Sequence, residues 1–188
     1  MRSFVRWFGR LVAMLAAATF ALSSVALAQS RVGKDSTTRL ERLGRDIAYV
    51  TATSFGWAAL DQLNDDPPEW GHGWHGYGHR LSSNVGKSVI QETVTAGVAA
   101  AMDRPLDYAR CRCKDVGVRI RRAVLGAVTD QMADGTRPLA VPRIAGAYTA
   151  AYAQASWRPG GNRLQTTLLN GSGSLAIGAL INLYYEFK

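Results

Sequence analysis

Apolar residues recur at three- and four-residue intervals through most of the chain, the mark of helices buried along one face. Leu40, Leu43, Ile47 and Val50 open such a stripe, which continues through TATSFGWAALDQL to about Leu63. NDDPP (64–68) breaks it. Asp66 can then cap a new helix, with Pro67 at its first position and Glu69 at its third. That second pattern runs to about Met102 and gives way to a turn-rich basic connection, DRPLDYARCRCKD (103–115). A third helix is expected from about Val116 to Met132, on a stripe of Val116, Ile120, Ala123, Ala127 and Val128. ADGTRPLAVP (133–142) ends it as an exposed loop. RIAGAYTAAYAQASW (143–157) predicts a fourth helix that stops at RPGGN. The last apolar stretch, Leu164 to Tyr185, carries no charge, and LNGSGS is expected to interrupt or kink it. Only the tail alternates as a strand would, at Ile181, Leu183, Tyr185 and Phe187. An outer-membrane barrel needs about eight such segments, so that reading is set aside. The expected fold is all-α: a compact bundle of about four to six helices.

Small residues set the expected packing. Gly146, Ala150 and Gln154 lie four apart, as do Ala147, Ala151 and Ala155, and again Ser174 and Gly178. Gly86, Thr93, Gly97 and Ala101 line one side of the second helix. Such side chains let helix backbones approach closely, in soluble bundles and in membranes alike. Leu164–Tyr185 is long enough to span a bilayer, but its glycines, serines and asparagines make it a poor span.

PPEWGHGWHGYGHR (67–80) concentrates the unusual chemistry, holding all three histidines of the chain. Placed on a helix, Trp70, Trp74, Tyr77 and Leu81 fall within about 60° of one another, and His72, His75 and His79 within about 60° on the opposite side. Gly71, Gly73, Gly76 and Gly78 occupy the flanks. Four helical glycines cost roughly 3–4 kcal/mol against alanine. Burying the three rings returns about 1.5–3 kcal/mol each. The expectation is therefore a helix over 67–86 whose aromatic ridge is buried and whose imidazoles face water.

Residues 1–28 have the form of a secretory leader: Arg2, Arg6 and Arg10, an apolar run LVAMLAAATFAL (11–22), then Ala26-Leu27-Ala28 before Gln29. Export is therefore expected, with a polar linker over 29–37 and a single helical domain over 38–188. Without the three leader arginines the formal +8 becomes +5. That balance permits contact with an anionic surface. Arg110, Arg112, Lys114, Arg119, Arg121 and Arg122 form a basic patch suited to phospholipid headgroups or to a solvated face. No aromatic-basic platform points to nucleic acid. Cys111 and Cys113 are the only cysteines, and their spacing leaves free thiols, a tight internal disulfide and metal ligation open.

Catalytic motifs are lacking. GKS (86–88) has Leu81 where a phosphate loop needs glycine, and no G-x-S-x-G occurs. Any acid-base chemistry would have to use His72, His75 or His79. Neighbouring pairs of these can share a metal ion on a helix. All three cannot easily do so, because 72 and 79 stand about 10 Å apart along the axis. The acidic group Asp61, Asp65, Asp66 and Glu69 lacks the glycine-bearing loop of a calcium site, and helix capping accounts for it.

PPEWGHGWHGYGHRLSSNVGKSVI resembles a segment of a family of exported, acidobacterial-type proteins with the pattern Pro-x-x-Trp-Gly-x-Gly-x-x-Gly-Tyr-Gly-x-Arg. Here Pro67, Trp70, Gly71, Gly73, Gly76, Tyr77, Gly78 and Arg80 match it. RPLDYAR, RIAGAYTAAYAQASWRP and GSGSLAIGALINLYYEF resemble further, weaker stretches of the same family, so the likeness spans about residues 45–187. It implies a helical, exported, membrane-proximal protein and supplies neither catalytic residues nor a cofactor. Members place varied polar residues where His72, His75 and His79 stand, and CRCKD departs from the family's commoner segment. The expected role is thus structural or interactive at the cell envelope, against an anionic membrane or an envelope protein. The alternative is a periplasmic metal-binding protein using the three histidines.

Overall fold

The structure is a computed structural model that describes residues 35–188 apart from 112 and 133, with the side chains of 35–39 also outside the description. The leader-like residues 1–28, linker residues 29–34 and Arg112 of the basic patch lie outside the described residues. The chain divides into two units, Met1–Gly44 and Arg45–Lys188. The described part of the first is the opening of helix α1 (Asp35–Leu63), which starts ahead of the expected Thr38. The second unit holds the remainder of α1, a short 3-10 turn (Pro68–Trp70), and helices α2 (Gly73–Ala101), α3 (Val116–Leu125), α4 (Val141–Trp157) and α5 (Arg163–Phe187). The all-helical bundle expected from the periodicity is the fold observed.

Local chemistry sets the helix ends. Asn162 caps α5 by accepting from the backbone N–H of Leu164 (3.0 Å) and Gln165 (3.4 Å). Asp115 caps α3 by accepting from Val118 N–H at 2.8 Å. Pro142 occupies the first turn of α4, where its missing N–H costs nothing. α3 stops at Leu125, short of the expected Met132. Gly126 follows, where a Cβ would stand 2.8 Å from the Tyr108 ring. The chain then turns back so that Thr129 bridges antiparallel to Leu139. α5 runs through LNGSGS without the expected interruption. Gly171 is needed there for contact rather than for a bend, because a Cβ would meet the Tyr148 ring of α4.

α4 is the hub. It packs against α2 on one side and α5 on the other, while α3 lies along α5. Its buried residues are Pro142, Gly146, Ala147, Ala150, Ala151 and Gln154, so the small-residue stripes read from the sequence are the contact surface. The α2–α4 crossing is closest at Gly146, which abuts Thr95 and the Gln91 carbonyl. Polar side chains stitch the layers. Gln154 donates to Ser83 Oγ and Asn84 Oδ1 (3.2 Å each) and accepts from Asn170 Nδ2 (3.3 Å). Trp157 Nε1 donates to the same Ser83 hydroxyl at 3.0 Å. Asn84 in turn donates to Asp61 of α1 at 2.9 Å.

The burial pattern runs opposite to that of an ordinary amphipathic helix. α5 buries Thr167, Gly171, Asn182 and Glu186. It leaves Leu164, Leu168, Leu169, Leu180, Ile181, Tyr184 and Tyr185 exposed. α2 likewise buries Gly76, Arg80 and Ser83. The interior is built from small and hydrogen-bonded groups, and much of the large apolar surface faces outward. No helix among the described residues is long and apolar enough to cross a membrane.

Candidate functional site

The glycine-rich segment is organised by Arg80, whose side chain is completely buried. Its Nε donates to the Asp66 carbonyl (3.0 Å). Nη1 donates to Gln62 Oε1 (2.6 Å) and the Gly71 carbonyl (2.7 Å), and Nη2 to the Pro67 carbonyl (2.9 Å) and Asp65 Oδ1 (3.2 Å). A guanidinium has five N–H donors, and each has its own acceptor here. The loop these acceptors belong to is sharply bent. Asp66–Pro67 is a cis peptide, and Asp65, Gly71 and Gly73 have φ of 50°, 65° and 75°. Gly71 and Gly73 adopt backbone that a side chain would strain. Gly76 serves a different need: a Cβ there would collide with the Gly71 carbonyl and come within 2.8 Å of Arg80 Nη1. Tyr77 donates its hydroxyl to the Phe55 carbonyl of α1 at 3.1 Å. Gly78 has open space around it.

The expected buried aromatic ridge is not present. α2 begins at Gly73, so Trp70 lies in the 3-10 turn and not on the helix. Trp74 is 90 % exposed. The buried side is instead the flank that carries Gly76 and Arg80, because the bent loop folds back over it and needs a donor and a close approach there. Trp70, half-buried, packs beside Arg158 (5.9 Å to the ring centre) and stacks on His79 (5.7 Å). Arg158 also pairs with Asp66 Oδ2 at 2.7 Å, tying the loop to the end of α4. Of the imidazoles expected to face water, His72 and His75 are exposed and His79 is half-buried. His79 lies between Trp70 and His75. Its pKa is held below the ordinary value, first by burial and then by His75 and Arg80. His72 sits 3.5 Å from Asp65. Among the described residues no three His, Cys, Asp or Glu side chains gather as a metal-ligand group. Cys111 and Cys113 are joined as a disulfide, the second of the three states left open by their spacing.

The basic patch divides. Arg110, Lys114 and Arg121 are exposed and Arg122 is half-buried. Arg119 belongs to a clasp instead. Its Nε donates to Glu186 Oε1 at 3.0 Å, its Nη2 reaches the Glu186 carbonyl, and its guanidinium lies 4.3 Å over Phe187. Glu186, buried, also accepts from the Tyr108 hydroxyl (2.8 Å) and the Cys111 backbone N–H (2.9 Å). Burial alone would raise its carboxyl, but these donors outweigh it and hold the pKa below the ordinary value. Tyr108 is pushed up to about 12 by burial and by its bond to Glu186.

A cleft of about 320 Å³ opens between α1, α2, α4 and α5. Asn84, Gln154, Asn170, Lys87 and Arg158 line it with polar groups, and Trp57, Leu169 and Ile177 with apolar surface. Burial pushes the Lys87 ammonium pKa down, Arg158 adds to this, and Asp61 opposes it. These residues come from four separate segments, and no sequence motif marks them.

Glu92, also on α2, is pushed up to about 7, first by burial and then by Asp46. A folded-state pKa above the ordinary 4.5 means that its contribution is intact below 4.5 and lost as pH rises to 7. Glu92→Gln is therefore expected to match the parent at pH 4.5 and to exceed it at pH 8. The gain, read by urea unfolding at both pH values, is on the order of 1–3 kcal/mol. Compared with family models, curated proteins and solved structures, the chain matches none.

Proposed function

We propose that the chain is a non-enzymatic binding module of the cell envelope that lies on an anionic phospholipid surface through α5. The inverted burial of α5 carries this reading. Leu180 is 66 % and Tyr184 61 % exposed, on the face opposite buried Asn182 and Glu186. Large contiguous apolar surface facing outward marks a contact site. Tyrosines suit the headgroup level of a bilayer, with apolar ring and polar tip. A cation adjoins them: Lys188 Nζ lies 5.6 Å over the Tyr184 ring. Apolar insertion combined with nearby cations is how a helix binds in the plane of an anionic membrane. The leader-like residues 1–28 support placement at the envelope.

Sedimentation with vesicles tests this reading. Protein comprising residues 29–188 is expected to pellet with phosphatidylglycerol-containing vesicles and far less with pure phosphatidylcholine. The double variant Leu180→Ser, Ile181→Ser removes two exposed side chains worth about 1.5–3 kcal/mol each when fully buried, so partitioning falls at least about tenfold. Its far-UV circular dichroism stays unchanged. Equal pelleting of parent and variant, or none by the parent, overturns the reading.

A further inference from the structure

We infer that the cleft between α1, α2, α4 and α5 is a binding site for a single-chain aliphatic carboxylate, with Lys87 as the counter-charge and Trp57, Leu169 and Ile177 as the seat of the chain. Its volume of about 320 Å³ lies in the range of small-molecule sites. Trp57 is 48 % and Leu169 65 % exposed, so apolar surface on which an aliphatic chain can seat stands at its mouth.

Lys87 is the unusual group. It is half-buried, and among the described residues its ammonium has neither a hydrogen-bond nor an ion-pair partner. Every other charge at the cleft has a partner: Asp61 accepts from Asn84, and Asp66 pairs with Arg158. With Asp61 acting on it only through its charge, the ammonium keeps its donors free for a ligand anion. The head is a monoanion rather than a phosphate dianion, because Asp61 and Asp66 stand on the same walls and repel a second charge. The cleft borrows Leu169 and Ile177 from α5, but its charged group, Lys87, lies on α2 and is not part of the proposed membrane face.

Calorimetric titration with decanoate below its micellar concentration, without vesicles, reads the site directly. Decanoate is expected to bind at one site, with decyl phosphate weaker and decyltrimethylammonium at least tenfold weaker. Lys87→Met weakens decanoate at least tenfold and leaves vesicle pelleting unchanged, while Lys87→Arg restores part of the affinity. Ile177→Asp, at the exposed mouth, weakens decanoate similarly without touching the ammonium. Absence of binding, full affinity in Lys87→Met, or equal affinity for the cationic amphiphile overturns the inference. Tighter binding of decyl phosphate overturns the carboxylate assignment.

Discussion

Replacing Arg80 with methionine is expected to lower the free energy of unfolding by about 3–5 kcal/mol, the cost of breaking a buried charged network from one side. The change keeps the aliphatic volume and removes five donors. Three backbone carbonyls, the Gln62 amide and the Asp65 carboxylate lose their partner together. Buried acceptors left unsatisfied each cost about 1–3 kcal/mol. Relaxation of the loop into water recovers part of that sum, which keeps the net below it. Arg80→Lys is expected to fail almost as badly, since an ammonium offers three donors and no planar fork. Urea unfolding checks both. If Arg80→Lys retains parental stability, the five-way clamp is not what holds residues 62–71.

Gly146→Ala is expected to destabilise by about 1–3 kcal/mol, although alanine is the better helix former by about 1 kcal/mol. A Cβ at this position collides with Thr95 Oγ1 and stands 2.8 Å from the Gln91 carbonyl. The threonine can rotate away; the carbonyl belongs to the α2 backbone and cannot. The helices must part, and α2–α4 is the most extensive contact of the fold. Thr95→Ala combined with Gly146→Ala should recover part of the loss in thermal unfolding. The same alanine at Gly78, which has open space around it, should be neutral or stabilising.

Helix periodicity made the bundle legible. The stripes at Gly146, Ala150 and Gln154 and at Ala147 and Ala151 are the buried face of α4. Apolar residues were a poor guide to orientation, because the stripe rule assumes that the largest side chains are inside. In α5 and in the first turns of α2 the interior goes to glycine, amide and charge, and the rule points to the wrong side. The glycine-rich segment shows why. Its four glycines read as helix flanks, yet Gly71 and Gly73 serve a bend and Gly76 a collision-free approach. The partner that makes sense of them, Arg80, ends the same motif in the sequence, where nothing marks it as buried. LNGSGS misleads for a related reason, since glycine in a helix signals a break unless a ring such as Tyr148 fills the notch. The cleft was not legible at all. Lys87 and Trp57 are joined only by the way four helices converge.

The clasp at Glu186 has a consequence for biogenesis. Its donors sit 67 to 78 positions earlier in the chain, at Tyr108, Cys111 and Arg119. Those donors emerge from a ribosome long before their acceptor does. Tyr108, the Cys111 amide and Arg119 therefore lack this shared acceptor until the last turn of α5 has been made.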